Sequence, residues 1–238
     1  MTTKCILFDM DGTLLPMDAE TFARTYFKLL TKKMLPHGYE PDDIIAGINA
    51  GITAMQPNDG SRTNAEVFWE SFAEVAGERV LKDKALFDEF YAVEFQRISS
   101  SCGFTKRAKE TIELCRELGY RVVIATEPIF PLVAMESRLR WAGVDPSSVE
   151  FITSYETSRF CKPDLGYYRE VAQRLGVDCT ECAMVGNDVG EDMPAGELGM
   201  KTFLLTDCLI NKKDEDLDRW AHGDYGKLQS WLRALNEE

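Results

Sequence analysis

Short, wholly apolar runs alternate along this chain with longer stretches of helical spacing. Cys5-Ile6-Leu7-Phe8 has no polar position and stops abruptly at Asp9, the pattern of a strand buried on both faces. Similar runs occupy Arg121 to Ala125, Phe151 to Thr153, Cys182 to Val185 and Thr202 to Leu205. Between them, Lys106 to Leu118, Pro131 to Trp141, Leu165 to Leu175 and Asp192 to Leu198 carry helix-like periodicity. Gly119, Gly143, Gly176 and Gly199 follow the last apolar residue of each, where a glycine that ends a helix is expected. Strand, helix and strand joined by short loops predict an α/β fold: a parallel sheet with helices on both faces.

One segment departs from that rhythm. Between Pro16 and Ser100 no strand pattern is present. Asp18 is placed to cap a helix running through Phe22, Tyr26, Leu29 and Leu30. Asp42, Asn64 and Lys82 open further helical stretches, the last carrying Leu86, Phe87, Phe90, Val93 and Phe95. Residues 16–100 are therefore expected to be a helical bundle inserted after the first strand, with residues 1–15 and 101–238 forming the core. The least helical part of the insert is Gln56 to Thr63, QPNDGSRT, which reads as a loop. The last stretch, charged from Asp207 to Arg219 and then carrying Trp220, Leu228, Trp231 and Leu232, reads as a solvated loop and a docking helix.

Composition narrows the classes. With 238 residues and 45% hydrophobic side chains, the chain is an ordinary globular protein, neither disordered nor membrane-spanning. Its 40 acidic and 27 basic residues leave a net charge of −13. Such a field repels polyanions, which excludes general binding to nucleic acid or an anionic membrane. Any anionic ligand must be attracted locally. Seven cysteines, an odd count spread along the chain, read as reduced thiols, and the pair Cys179 and Cys182 lacks a second pair to complete a zinc set. Asp9 and Asp11 interrupt the first apolar run too early for a secretory signal, so a cytoplasmic location is expected.

The polar residues that follow the strands carry the chemistry. Asp9-Met10-Asp11-Gly12-Thr13 follows the first strand, Thr126 the second and Asp188 the fourth, while Lys162-Pro163 comes several residues after the third. In open parallel sheets ligands bind beyond the carboxyl ends of the strands. An isolated pair of acids beside a glycine would read as a turn or a helix cap. Facing Asp188, the two would repel each other unless a hard cation stood among them, and all-oxygen ligation suits Mg²⁺. Lys162 is the cation placed nearest those strand ends and can meet phosphate as a point charge. Asp192, four residues after Asp188, would share its face of a helix.

These motifs resemble the haloacid dehalogenase-like (HAD) hydrolase superfamily in its phosphatase branch. The resemblance rests on DMDGT from Asp9 to Thr13, Thr126 after RVVIA, KP at Lys162-Pro163, and GNDVGED with Asp188 and Asp192. It implies a Rossmann-like, doubly wound core with an all-helical cap inserted at 16–100. It further implies that Asp9 attacks phosphorus to form an aspartyl-phosphate, and that Asp11 acts as acid and then base. Mg²⁺ would be held by the carboxylates of Asp9 and Asp188 and the main-chain carbonyl of Asp11. Thr126 and Lys162 would hold the phosphoryl oxygens, and Asp192 would orient Lys162 or a metal-bound water. An acid at Asp11 argues for cleavage of a P–O bond, since the dehalogenase and phosphonatase branches lack it.

Two positions depart from the family pattern. Glu127 stands where many relatives carry Asn, so it is expected to point away from phosphate or to touch a polar part of the substrate. Asn187 stands beside Asp188 where some relatives carry an acid. The substrate is expected to be a small phosphorylated metabolite, with the loop from Asn58 to Thr63 and its Arg62 reaching toward the site. Arg24, Lys28 and Lys32 share a helical face, which reads as solvated. Two other readings stay open: a phosphomutase of the same superfamily, and a receiver-type signalling module phosphorylated on aspartate. The motifs do not specify the leaving group or the number of subunits.

Overall fold

The computed structural model describes residues 2–237; Met1 and Glu238, the outer ends of the core segments 1–15 and 101–238, lie outside the described residues. The apolar runs form a sheet of β1 (Cys5–Phe8), β2 (Arg121–Ile124), β3 (Phe151–Ile152), β4 (Cys182–Gly186), β5 (Lys201–Leu205) and β6 (Ala221–Gly223). Its order is β3-β2-β1-β4-β5-β6, and every neighbouring pair is parallel. At the centre, Phe8 lies in register between Ile124 of β2 and Val185 of β4. The chain builds outward from β1 to β3 and then crosses back to place β4 on the other side. That crossing makes the β1/β4 boundary the point where strand order reverses, and it opens a crevice at the carboxyl ends.

Alternation along the strands divides the core into two layers. Ile6 and Phe8 face α5 (Lys106–Glu117), α6 (Leu132–Trp141) and α8 (Tyr225–Glu237) through Ile112, Leu139 and Leu228. Cys5 and Leu7 face α7 (Leu165–Leu175) through Tyr167, Tyr168 and Val171. Both β1 and β4 are buried along their whole length, as their unbroken apolar runs require.

Two core elements differ from expectation. The stretch after Asp192 is a 3₁₀ helix, Met193–Leu198, rather than an α-helix; it is a single short run that ends at Gly199, whose φ is +80°, and 3₁₀ geometry suits such short pieces. The edge strand β6 is three residues of Ala-His-Gly, with no apolar run by which to find it. The docking helix at the C-terminus is α8, buried through Tyr225, Leu228, Leu232 and Leu235.

Among the described residues of 16–100, regular structure is helical throughout: α1 (Ala19–Met34), α2 (Pro41–Met55), α3 (Asn64–Ala76) and α4 (Lys84–Ala92), with 3₁₀ turns between them. Asp18 caps α1, its carboxylate accepting from Thr21 N at 2.8 Å. Thr63 and Glu66 cap α3 reciprocally, a capping box that holds two otherwise orphaned N–H groups. The fourth helix begins at Lys84, because Glu78–Leu81 forms a separate 3₁₀ turn, and Phe95 falls in the next 3₁₀ segment, Phe95–Ser101. Phe22, Tyr26, Phe68, Phe72, Phe87 and Phe95 form the aromatic core of this insert, which continues onto Ala134 of α6 and the adjoining Phe130. No helix among the described residues is long and apolar enough to cross a membrane.

Candidate active site

The loop after β1 is held from both sides. Asp9 N donates to Val185 O of β4 at 2.9 Å, and the chain then turns tightly, with Leu14 N donating to Met10 O at 2.9 Å and Gly12 N to Leu15 O at 2.8 Å. Gly12 has a φ of +79° and presses against Asn187, where an added Cβ would lie 2.4 Å from Nδ2. A glycine is thus required both by the turn and by the close approach. Asn187 accepts from Thr13 Oγ1 at 2.8 Å and donates to Cys208 O at 2.7 Å. It is a tie between three loops.

Behind this loop lies a buried charge cluster. Lys162 is 2% exposed, and its Nζ sits 3.0 Å from Asp9 Oδ1 and 2.7 Å from Asp192 Oδ1. Burial opposes its charge, but Asp192 and Asp9 outweigh burial and hold its pKa well above the ordinary lysine value. The other oxygen of Asp192 accepts from Asp188 N at 3.0 Å, and Asp192 N donates to Asp188 O at 2.9 Å. One closed turn therefore brings Asp188 and Asp192 together, in place of the expected helical face. A Cβ at Gly186 would fall 2.0 Å from Asp192 Oδ2, so that carboxylate can reach the cluster only past a glycine.

Thr126 is fixed through its backbone. Its N donates to Thr153 Oγ1 at 3.1 Å and its carbonyl accepts from Tyr167 OH at 2.8 Å. Neither bond uses the Thr126 hydroxyl. Glu127 does not point away: its Oε2 accepts from Lys162 N at 2.8 Å and its Oε1 from Gln56 Nε2 at 3.1 Å. It braces the lysine loop against the end of α2 while also lining the cavity that holds the carboxylates. Burial pushes its pKa up, with the Lys162 N–H opposing.

Arg62 is not brought to the cluster. It pairs with Glu70 at 2.5 Å, half-exposed, beside Trp69 and Tyr155 in a separate outer depression. The Asn58 to Thr63 part of the loop meets the core away from the cluster, through Gly60 O, which accepts from Arg159 Nη1 at 3.3 Å. Arg24 pairs with Glu20 on an exposed face.

Two adjoining cavities open at this end of the sheet. The first, of about 410 Å³, is walled by Asp9, Asp11, Thr126, Asn187, Asp188 and Asp192 among others, with Lys162 behind them. The second, of about 310 Å³, lies under the insert and shares Asp11, Met17 and Ala19 with the first. Arg138 of α6 is part of its wall. It is 1% exposed, contacts Asp11 Oδ2, and lies 4.9 and 5.0 Å from the ring centres of Phe22 and Phe130. Burial draws its pKa down to about 9, with Asp9 opposing. Its Nε and Asp11 Oδ1 are both buried without a hydrogen-bond partner. Sequence reasoning missed Arg138. The available signal was a cation within the buried stripe of Ala134, Met135 and Leu139 on α6.

A hard cation fits the first cavity in one arrangement. Among the described residues no three His, Cys, Asp or Glu side chains could hold a metal ion together. The Asp11 carboxylate is drawn to Arg138, which leaves its main-chain carbonyl for such a role. Asp188 Oδ1 accepts from Gly190 N at 2.7 Å and Glu191 N at 3.2 Å, and Asp9 Oδ1 is committed to Lys162. The second oxygen of each carboxylate remains as donor. Two carboxylates and one carbonyl would make an all-oxygen set suited to Mg²⁺.

A family model of haloacid dehalogenase-like hydrolases matches residues 3–199. Over 205 residues the chain is 23% identical to pyrophosphatase PpaX of Bacillus velezensis, covering 85% of this chain and 84% of that protein. Among solved structures, it is similar to an HAD phosphatase from Thermococcus onnurineus, with a TM-score of 0.57, 20% identity, and 97% of this chain and 98% of that one covered. A 2-haloacid dehalogenase from Pseudomonas syringae pv. Tomato DC3000 aligns with a TM-score of 0.62 at 17% identity, with 98% of each chain covered. At such identities the structural likeness speaks for the fold, and the same fold carries different leaving groups.

Proposed function

The chain belongs to the haloacid dehalogenase-like hydrolase family, and we propose that within it this protein is a Mg²⁺-dependent phosphatase of a small phosphorylated metabolite. The observation that carries this reading is the position of Asp11, in the wall shared by the carboxylate cavity and the cavity beside it. An acid there stands between a phosphoryl group at Asp9 and the group that must leave with a proton. A leaving halide would need none.

The steps follow from this chain's residues. The Asp9 carboxylate attacks phosphorus in line through the oxygen not given to the cation while the bond from phosphorus to the leaving oxygen breaks, and Asp11, in its protonated form, gives the leaving oxygen its proton. Water then attacks the aspartyl-phosphate, Asp11 takes the proton from water, and Asp9 is released as carboxylate. Lys162 offsets the charge of Asp9, so that an anionic nucleophile can approach an anionic substrate. Thr126, with its backbone pinned, offers its hydroxyl to a phosphoryl oxygen, and Asp192 keeps the Lys162 ammonium in place. Mg²⁺, when held by the carboxylates of Asp9 and Asp188 and the Asp11 carbonyl, supplies further charge neutralisation. Residues 16–100 act as the cap, joined to the core site by the bond from Gln56 to Glu127.

The test is phosphate release from acetyl phosphate and from a panel of phosphorylated metabolites, with Mg²⁺ and with EDTA. Turnover that needs Mg²⁺ and is lost in Asp9→Asn is expected. Halide release from 2-haloacids without phosphatase activity, or undiminished turnover in Asp9→Asn, would overturn the proposal. Isomerisation of sugar phosphates without phosphate release would move the protein to the mutase reading.

A further inference from the structure

We infer that the substrate's leaving group is an apolar, ring-sized body lodged in the cavity beside Asp11, so that the enzyme cleaves phosphate esters of apolar alcohols rather than of polyols, or pyrophosphate. The inference rests on the phosphatase reading of the neighbouring carboxylate cavity. It starts from the shared wall of Asp11, Met17 and Ala19. With phosphorus at Asp9 and the leaving oxygen at Asp11, the first carbon beyond that oxygen enters the second cavity.

The chemistry of the second cavity differs from that of the first. Phe22, Phe27, Ile52, Trp69, Phe87 and Phe130 supply much of its wall. Its two ionisable charges, Asp11 and Arg138, are paired with each other, and the guanidinium lies against the Phe22 and Phe130 rings. Its three hydroxyls are partly engaged with one another or with Trp69, and Asn49 adds one amide to an otherwise largely apolar wall. Tyr26 OH and Tyr91 OH lie 3.0 Å apart, and Tyr155 OH accepts from Trp69 Nε1 at 3.3 Å. A polyol placed here would bury several hydroxyl groups with few partners, and each unmet one opposes binding. An apolar ring loses nothing of that kind and gains burial against aromatic edges. The volume, about 310 Å³, admits a ring and short side chain and lies at the lower end of the range for small-ligand sites.

The experiment compares kcat/KM of the wild-type enzyme for 2-phenylethyl phosphate, glycerol 1-phosphate and pyrophosphate, with Mg²⁺ present. The two esters are both primary alkyl monoesters, so their difference reads the cavity rather than the leaving-group chemistry. A preference of tenfold or more for the phenylethyl ester is expected. In Ala23→Phe, which narrows the cavity from α1, the ratio of the two esters should fall by at least a similar factor. Equal rates, or preference for glycerol 1-phosphate or pyrophosphate, overturn the inference and leave the phosphatase reading intact. No phosphate release from any of the three, nor from acetyl phosphate, removes that reading and the inference with it.

Discussion

Two buried cations meet this site, and they are neutralised in different ways. Lys162 is shared between two carboxylates, at 3.0 Å from Asp9 and 2.7 Å from Asp192, all three groups nearly sealed from solvent. Arg138 has one carboxylate, Asp11, whose side chain is 32% exposed, and otherwise lies against two aromatic rings. The first cluster is a closed electrostatic unit that leaves a net negative charge facing the phosphoryl cavity. In the proposed mechanism Mg²⁺ would complete it. The second is neutral and apolar around its one ion pair. On the proposed reading, a chain of net charge −13 would attract phosphate by local balance, with an acid-rich cavity beside an apolar one.

The comparison can be broken most forcefully at Asp9. Asp9→Asn should reduce kcat by about 10⁴-fold or more, as loss of a nucleophile does, with little change in Tm because Asp192 still holds Lys162. Single-turnover phosphate release checks it. Next comes Lys162→Met, which leaves Asp9 and Asp192 facing each other without a counter-charge. A loss of about 3–5 kcal/mol is expected, seen as a Tm lower by roughly 10 °C in calorimetry. The double variant Lys162→Met with Asp192→Asn should recover much of that stability and none of the activity.

Arg138→Met sharpens the contrast from the other side. The released Asp11 carboxylate can reach water, and methionine retains apolar packing against Phe22 and Phe130. The expected cost is about 1–2 kcal/mol, read as a shift of the urea midpoint at constant slope. A loss as large as that of Lys162→Met would show the two cations to be equivalent.

The smallest effect is expected at Glu191, in the wall of the carboxylate cavity. Burial, with Glu127, Asp188 and Asp192 adding and Lys162 opposing, pushes its carboxyl up to about 7. The folded chain then binds a proton that the unfolded chain releases, so stability is highest below the unfolded value near 4.5 and falls as pH rises through about 7. Glu191→Gln removes that slope. In EDTA the variant should be more stable than wild type by about 1 kcal/mol at pH 8, after discounting for partial exposure. The gap should close by about pH 4.5, a difference measurable by urea titration at the two pH values.

The legible part of the protein was local. β1 and β4 could be read because strands buried on both faces must be apolar at every position, and Asp9, Asp11, Thr126 and Asp188 because each follows such a strand at once. Lys162 was legible through its motif, although nothing in the sequence showed that it would be buried between Asp9 and Asp192. Three features escaped. β6 carries no apolar run. Glu127 reads as an unengaged carboxylate near phosphate until Gln56, distant in sequence, and the Lys162 N–H are seen to bond to its two oxygens. Arg138 reads as an ordinary helical arginine until α6 packs against the insert and sets it over the Phe22 ring.

The amino-acid sequence by itself therefore determined the parallel sheet, the helical insert and the carboxylates at the strand ends, because periodicity and the residue after a strand are properties of neighbours along the chain. Tertiary structure alone decided which charges pair, what Glu127 and Arg62 touch, and that an aromatic cavity adjoins Asp11. Apart from the Arg62–Glu70 pair, those contacts join residues tens to more than a hundred positions apart. They arise only when the insert packs onto α6 and burial makes each unpaired polar group costly enough to select its partner.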